Sequence, residues 1–88
     1  MTLIRKESKM TREEVLFRVK SVFHDAFDRD VELDDTTSSA DVEGWDSFAH
    51  VTLIGLLEDE FGIKFPMNEV FGMTNVGAIV TRICELAD

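Results

Sequence analysis

The chain has 88 residues, 44% of them hydrophobic, with nine basic against eighteen acidic side chains and a net charge of −9. That length holds one domain with a modest core, and it excludes both two separate cores and wholesale disorder. A single cysteine, Cys84, excludes a disulfide framework and any paired-cysteine metal site.

The charge is unevenly placed. Residues 1–20 carry six basic and three acidic side chains, a balance of +3, and residues 21–88 carry three basic and fifteen acidic ones, a balance of −12. A nucleic-acid binder neutralises phosphates with basic faces, so nucleic acid is excluded as a partner of the acidic body. Partners with basic docking patches are expected instead. No apolar run approaches the ~20 residues of a membrane span. Met1 to Ile4 is followed at once by Arg5, Lys6 and Glu7, which is unlike the apolar stretch of a signal peptide. The expectation is a cytoplasmic monomer with no membrane insertion.

Residues 1–10 are polar, mixed in charge and without periodicity, and are expected to form a mobile tail ahead of a domain at 11–88. Thr11-Arg12-Glu13-Glu14 matches a capping box. Val15, Val19, Val22, Phe23, Ala26 and Phe27 then recur at steps of three and four, which predicts a helix from about Arg12 to Phe27. His24 lies between core positions and is read as solvated or locally hydrogen-bonded.

Residues 28–46 have no helical period. Their acids alternate with Val31, Leu33 and Val42, which are expected to pin a long loop to the core. The alternation invites comparison with a calcium loop. Counted from Asp28, however, the position that needs glycine is Leu33 and the position that needs a bidentate glutamate is Ser39. That reading fails, and no metal ligands are assigned.

A second helix is expected from about Ser47 to Phe61, capped by Asp46 and ended at Gly62. Its apolar residues are too many for one stripe; Leu53, Ile54, Leu57 and Phe61 make the better core face, and Val51, Leu56, Ala49 and Gly55 are partly left over. Gly55 costs ~1 kcal/mol against alanine there, and packing inside the domain is its expected reason. Ile63 and Phe65 are extended before Pro66. Pro66 to Phe71 makes a short helical turn stopped by Gly72. Thr74 or Asn75 caps a last helix carrying Val76, Ile79, Val80, Ile83 and Leu86, with Cys84 beside that face. The order is all-α: a small four-helix bundle with a long first loop and a short third helix.

Chemistry concentrates where the acidic loop meets the second helix, at Gly44-Trp45-Asp46-Ser47-Phe48. A hydroxyl on Ser47 would face free N–H groups and the positive end of the helix dipole, which suits an attached phosphate. A hydrolase would need more. Ser47 and His50 share a helical face, but the G-x-S-x-G elbow is absent because Trp45 stands at its first glycine, and a helical chain this short leaves little room for a cleft. No catalytic residue is assigned. The competing reading is a serine modified by another enzyme, for which an exposed helix start, a preceding loop and a charged surface are the requirements.

Three segments carry a family resemblance: Glu43-Gly44-Trp45-Asp46-Ser47-Phe48, Leu57-Glu58-Asp59-Glu60-Phe61-Gly62-Ile63 and Asn75-Val76-Gly77. The run from Leu33 to Glu85 resembles the acyl carrier proteins. The resemblance implies a non-catalytic carrier whose serine, here Ser47, receives 4′-phosphopantetheine from coenzyme A through a separate magnesium-dependent phosphopantetheinyl transferase. It implies an acyl group held as a thioester on that arm, for delivery to acyl-loading and acyl-transfer enzymes. An aminoacyl or peptidyl carrier of the same fold, and an unmodified helical adaptor, remain as alternatives. Asp46, Phe48, His50, Val51, Gly55 and Glu58 are the expected partner contacts, with Asp46 also helping to engage the transferase and its metal. Trp45 is expected to pack under the loop, and His50 to be exposed to solvent.

Phe48 stands where the family usually has leucine. The stretch from Ala49 to Leu57 has no acid, where members that serve fatty-acid biosynthesis usually carry glutamates. Either these positions are simply variable, or the chain is a dedicated carrier for polyketide, lipid-modification or polysaccharide-decoration chemistry.

Overall fold

The computed structural model describes residues 10–28 and 30–87. Except for Met10, the expected tail lies outside the described residues. Three α-helices and a short 3₁₀ helix enclose one core: α1 (Arg12–Phe27), α2 (Ser47–Phe61), the 3₁₀ helix (Met67–Gly72) and α3 (Val76–Leu86). This is the expected bundle with its short third helix.

Local chemistry sets each helix end. Thr11 Oγ1 accepts from the Glu14 N–H at 3.1 Å while Glu14 accepts from the Thr11 N–H at 2.9 Å, closing the capping box on α1. Asp46 caps α2, and Asn75 caps α3 by accepting from the Ala78 N–H at 2.7 Å. Gly62 ends α2 in the left-handed region with φ +66.

Val15, Val19, Val22 and Phe23 of α1 bury against Leu53, Ile54 and Leu57 of α2 and against Val76, Ile79, Val80 and Ile83 of α3. Phe61 is only half-buried, because it sits at the rim with the Arg18 guanidinium 4.6 Å above its ring. Gly55 departs from expectation. Apart from the adjoining backbone of its own helix, no atom lies within 4 Å of where its Cβ would be, so packing inside the domain does not explain it.

The long loop is pinned by Leu33 and Val42, both buried, with Val31 half-buried. Its fold rests on bonds no local pattern announces. The Val76 and Gly77 N–H groups at the start of α3 donate to Thr37 O at 2.8 Å and Asp35 O at 3.0 Å, and Ser39 N–H donates to Thr74 O at 2.8 Å. The loop thereby satisfies the first donors of α3, which have no intrahelical acceptor. A 3₁₀ turn, Ser39–Asp41, forms inside the loop where the sequence showed no helical period. Asp41 holds it by accepting from the Ser38 N–H at 3.0 Å.

The 3₁₀ helix is clamped to α3. Arg82 donates to both carboxylate oxygens of Glu69, at 2.8 and 3.4 Å, and its Nη1 reaches Glu85 at 3.0 Å. Glu69 first, then Glu85, holds the Arg82 guanidinium above its ordinary pKa.

Candidate functional site

The loop delivers its last residues to α2 through a turn at Gly44, whose φ of +91 favours glycine. Trp45 follows and is 6% exposed. Its ring meets Phe23 of α1 edge-on, centroids 5.1 Å apart at 81°. Trp45 packs under the loop, as expected. Asp46 then turns the chain into α2 by accepting from the Ala49 N–H at 2.9 Å.

Ser47 is the first helical residue and is exposed. Among the described residues no hydrogen bond engages its hydroxyl. The N–H groups of Ser47 and Phe48 have no intrahelical acceptor, and no loop carbonyl replaces one, in contrast to the start of α3. An open depression of about 460 Å³ lies beside Ser47, lined by Ser39, Trp45, Asp46, His50, Phe71 and Thr74. An anionic phosphate ester on this oxygen would meet two free donors and the positive end of the α2 dipole. The site fits a phosphopantetheine arm on chemistry and on room.

His50 corrects the sequence reading. It is 4% exposed, not solvated, and reaches the outside only as part of the wall of the depression. Its Nδ1 accepts from Trp45 Nε1–H at 2.9 Å, and its Nε2 lies 2.7 Å from Val70 O. Indole N–H is a donor only, so Nδ1 carries the lone pair; the ring proton is then on Nε2 and is donated to Val70 O. The expectation missed this because one partner is five residues back and the other twenty ahead.

The other expected contacts divide. Phe48 is 84% exposed and Val51 55% exposed. With Gly55 they follow one face of α2 that carries no acid ahead of Glu58. Glu58 is half-buried and accepts from the Phe65 N–H at 2.9 Å, so its carboxylate ties α2 to the extended segment that follows. Sequence reasoning missed Phe71, 58% exposed with its ring 5.8 Å from His50, and the Ser39 and Thr74 hydroxyl residues lining the depression. A 3₁₀ segment is too short for a period to reveal its exposed face; only the apolar residue just ahead of Gly72 hinted at it.

The family model for the phosphopantetheine attachment site matches residues 18–83, and the chain belongs to that family. Among solved structures, the chain is similar to the holo acyl carrier protein from Geobacter metallireducens, determined in solution by NMR. The TM-score is 0.76 at 33% identity, covering 82% of this chain and 84% of that one. Among curated proteins, none matches the chain. The chain is a carrier protein of acyl-carrier type, and its cofactor is covalently bound 4′-phosphopantetheine. No helix among the described residues is long and apolar enough to cross a membrane.

Proposed function

We propose that Ser47 is the attachment residue, that a phosphopantetheinyl transferase is the modifying partner, and that the loaded protein carries an acyl thioester to enzymes of a specialised pathway. The observation that carries this is the free, exposed Ser47 hydroxyl beside two unpaired N–H groups at the start of α2. In the transfer, Ser47 Oγ bonds to the pantetheine-side phosphorus of coenzyme A as the phosphoanhydride bond breaks. The serine proton is lost to a base of the transferase or to solvent, and adenosine bisphosphate leaves. The attached arm supplies a terminal thiol that holds the acyl group as a thioester. This chain orients the serine, offers donors to the phosphate ester and presents α2 to the partner. Asp46 keeps one carboxylate oxygen beyond its capping bond, available to the transferase metal.

The specialised role is supported by the face of α2. Phe48, Val51 and Leu56 are exposed there, and no acid occurs between Ala49 and Leu57. Recognition through that face is apolar, with the acids elsewhere steering the encounter.

Incubation with coenzyme A, magnesium and a broad-specificity transferase tests the attachment. Intact mass is expected to rise by one phosphopantetheinyl group on the wild type and not at all on Ser47→Ala. An unmodified wild type refutes the assignment and favours the adaptor, and an equal gain on the variant refutes it by putting the attachment at another residue.

A further inference from the structure

The Trp45–His50–Val70 bridge does more than satisfy a core. His50 is the one buried polar side chain of the described core, and it lies three residues after Ser47. A leucine of similar volume would fill the same space, so packing alone gives no reason for an imidazole here. What the imidazole adds is a pair of directional bonds. One end holds the indole that ends the loop, two residues before Ser47. The other end holds the carbonyl of Val70 in the 3₁₀ helix, which forms the opposite wall of the depression. The ring also stacks on Trp45, centroids 5.9 Å apart and planes at 23°.

The bond between Trp45 and His50 closes the segment 45–50 through its side chains, with Ser47 inside the closed segment. The turn's other ties are the Trp45 N–H to Val42 O at 3.1 Å, the Asp46 N–H to Gly44 O at 3.0 Å, the Ala49 N–H to the Asp46 carboxylate at 2.9 Å and the His50 N–H to Asp46 O at 2.8 Å. Three of the four involve Asp46, an exposed residue at a helix end, where fraying is expected. The indole, anchored edge-on against Phe23 of α1, refers the turn to the body of the bundle.

We propose that His50, in its Nε2–H tautomer, and Trp45 are positioning residues for modification at Ser47. Together they hold the serine oxygen and the first turn of α2 in the geometry the transferase needs. The proposal rests on the Ser47 reading. Neither residue touches the reacting phosphorus; both act by ordering the turn that bears the nucleophile. Removing the bridge then lowers the rate of the bound complex and leaves docking on Phe48 and Val51 intact, so the loss falls on kcat and not on KM.

The test compares the full chain with His50→Leu, Trp45→Phe and His50→Gln. Leucine keeps volume and removes both bonds, phenylalanine removes only the indole donor, and glutamine restores an acceptor and a donor at opposite ends. The transferase assay is expected to show kcat about tenfold lower for His50→Leu and Trp45→Phe, KM for the carrier within about twofold, and substantial recovery in His50→Gln. Nitrogen-15 NMR of the unmodified wild type is expected to report the Nε2–H tautomer, and the Ala49 and His50 amides are expected to exchange faster in His50→Leu and Trp45→Phe. Wild-type kcat in a folded His50→Leu, unchanged amide exchange, or equal losses in leucine and glutamine variants would each overturn the proposal. Should the wild type accept no group, the Ser47 reading fails. Tautomer and exchange rates, read on unmodified protein, then still decide whether the bridge orders the turn.

Discussion

Two glycines with the same side chain carry opposite consequences. At Gly77 a Cβ would lie 2.6 Å from the backbone oxygen of Asp35, which the Gly77 N–H itself holds at 3.0 Å. The loop cannot retreat without giving up that bond. Gly77→Ala is therefore expected to destabilise the domain by roughly 1–3 kcal/mol, the usual range for overpacking. At Gly55 a Cβ meets nothing within 4 Å, and the helical backbone suits alanine. Gly55→Ala is expected to stabilise by about 0.5–1 kcal/mol, since the unfolded glycine has more freedom to lose. Urea denaturation of both variants measures the two effects together; the same sign at both positions contradicts this account.

Among the elements, the long loop is held by short polar devices as well as by the burial of Leu33 and Val42. Asp34 Oδ1 accepts from the Thr36 hydroxyl at 2.6 Å and the Thr36 N–H at 2.9 Å, and the Thr37 hydroxyl lies 3.3 Å away. The Thr36 hydroxyl first, then the Thr36 backbone, holds the Asp34 carboxyl below its ordinary pKa. Because the folded pKa is the lower one, folding favours the ionised form. The contribution is fully present above the unfolded value and is lost as pH falls through the folded one. Proton NMR across an acid titration is expected to show the Thr36 amide losing protection only below the ordinary aspartate range, with Asp34→Asn lacking that step. Loss of the step at the ordinary aspartate pKa would show that these bonds do not hold in solution.

Elements also differ in how much of them the sequence revealed. The bounds of α1 and α2 and, to within a residue, the start of α3 were legible because caps and periodicity are local: Thr11 with Glu14, Asp46, Asn75 and Gly62 act within a few residues of the helix they bound. The surplus apolar residues of α2 were legible as a surplus, and Val51 and Leu56 of that surplus are indeed exposed. The turn at Ser39–Asp41 was not, because it forms against the start of α3, which is far along the chain.

At the scale of the molecule, under the proposed function the net charge of −9 and the acid-free stretch from Ala49 to Leu57 would divide recognition into two stages. Distant acids would steer a basic partner over the Debye length, and contact would then be made by apolar side chains. Binding of the transferase is expected to show an association rate that falls as salt is raised, with a dissociation rate that changes little. Stopped-flow binding at several ionic strengths checks this. A dissociation rate carrying most of the salt dependence would place charged groups inside the contact itself.

The family, the order of helices, their ends and the candidate serine were already written in the chain, because each depends on residues close together or on a spacing that repeats. Burial of His50, the open space at Gly55, the capture of Glu58 by the Phe65 N–H and the exposed ring of Phe71 beside Ser47 were decided by tertiary structure alone. A histidine three positions after a helix-start serine looks the same on paper whether it faces water or the core. Only when Trp45 and Val70 arrive from either side do both its nitrogens find partners, and that meeting depends on the packing of the whole bundle.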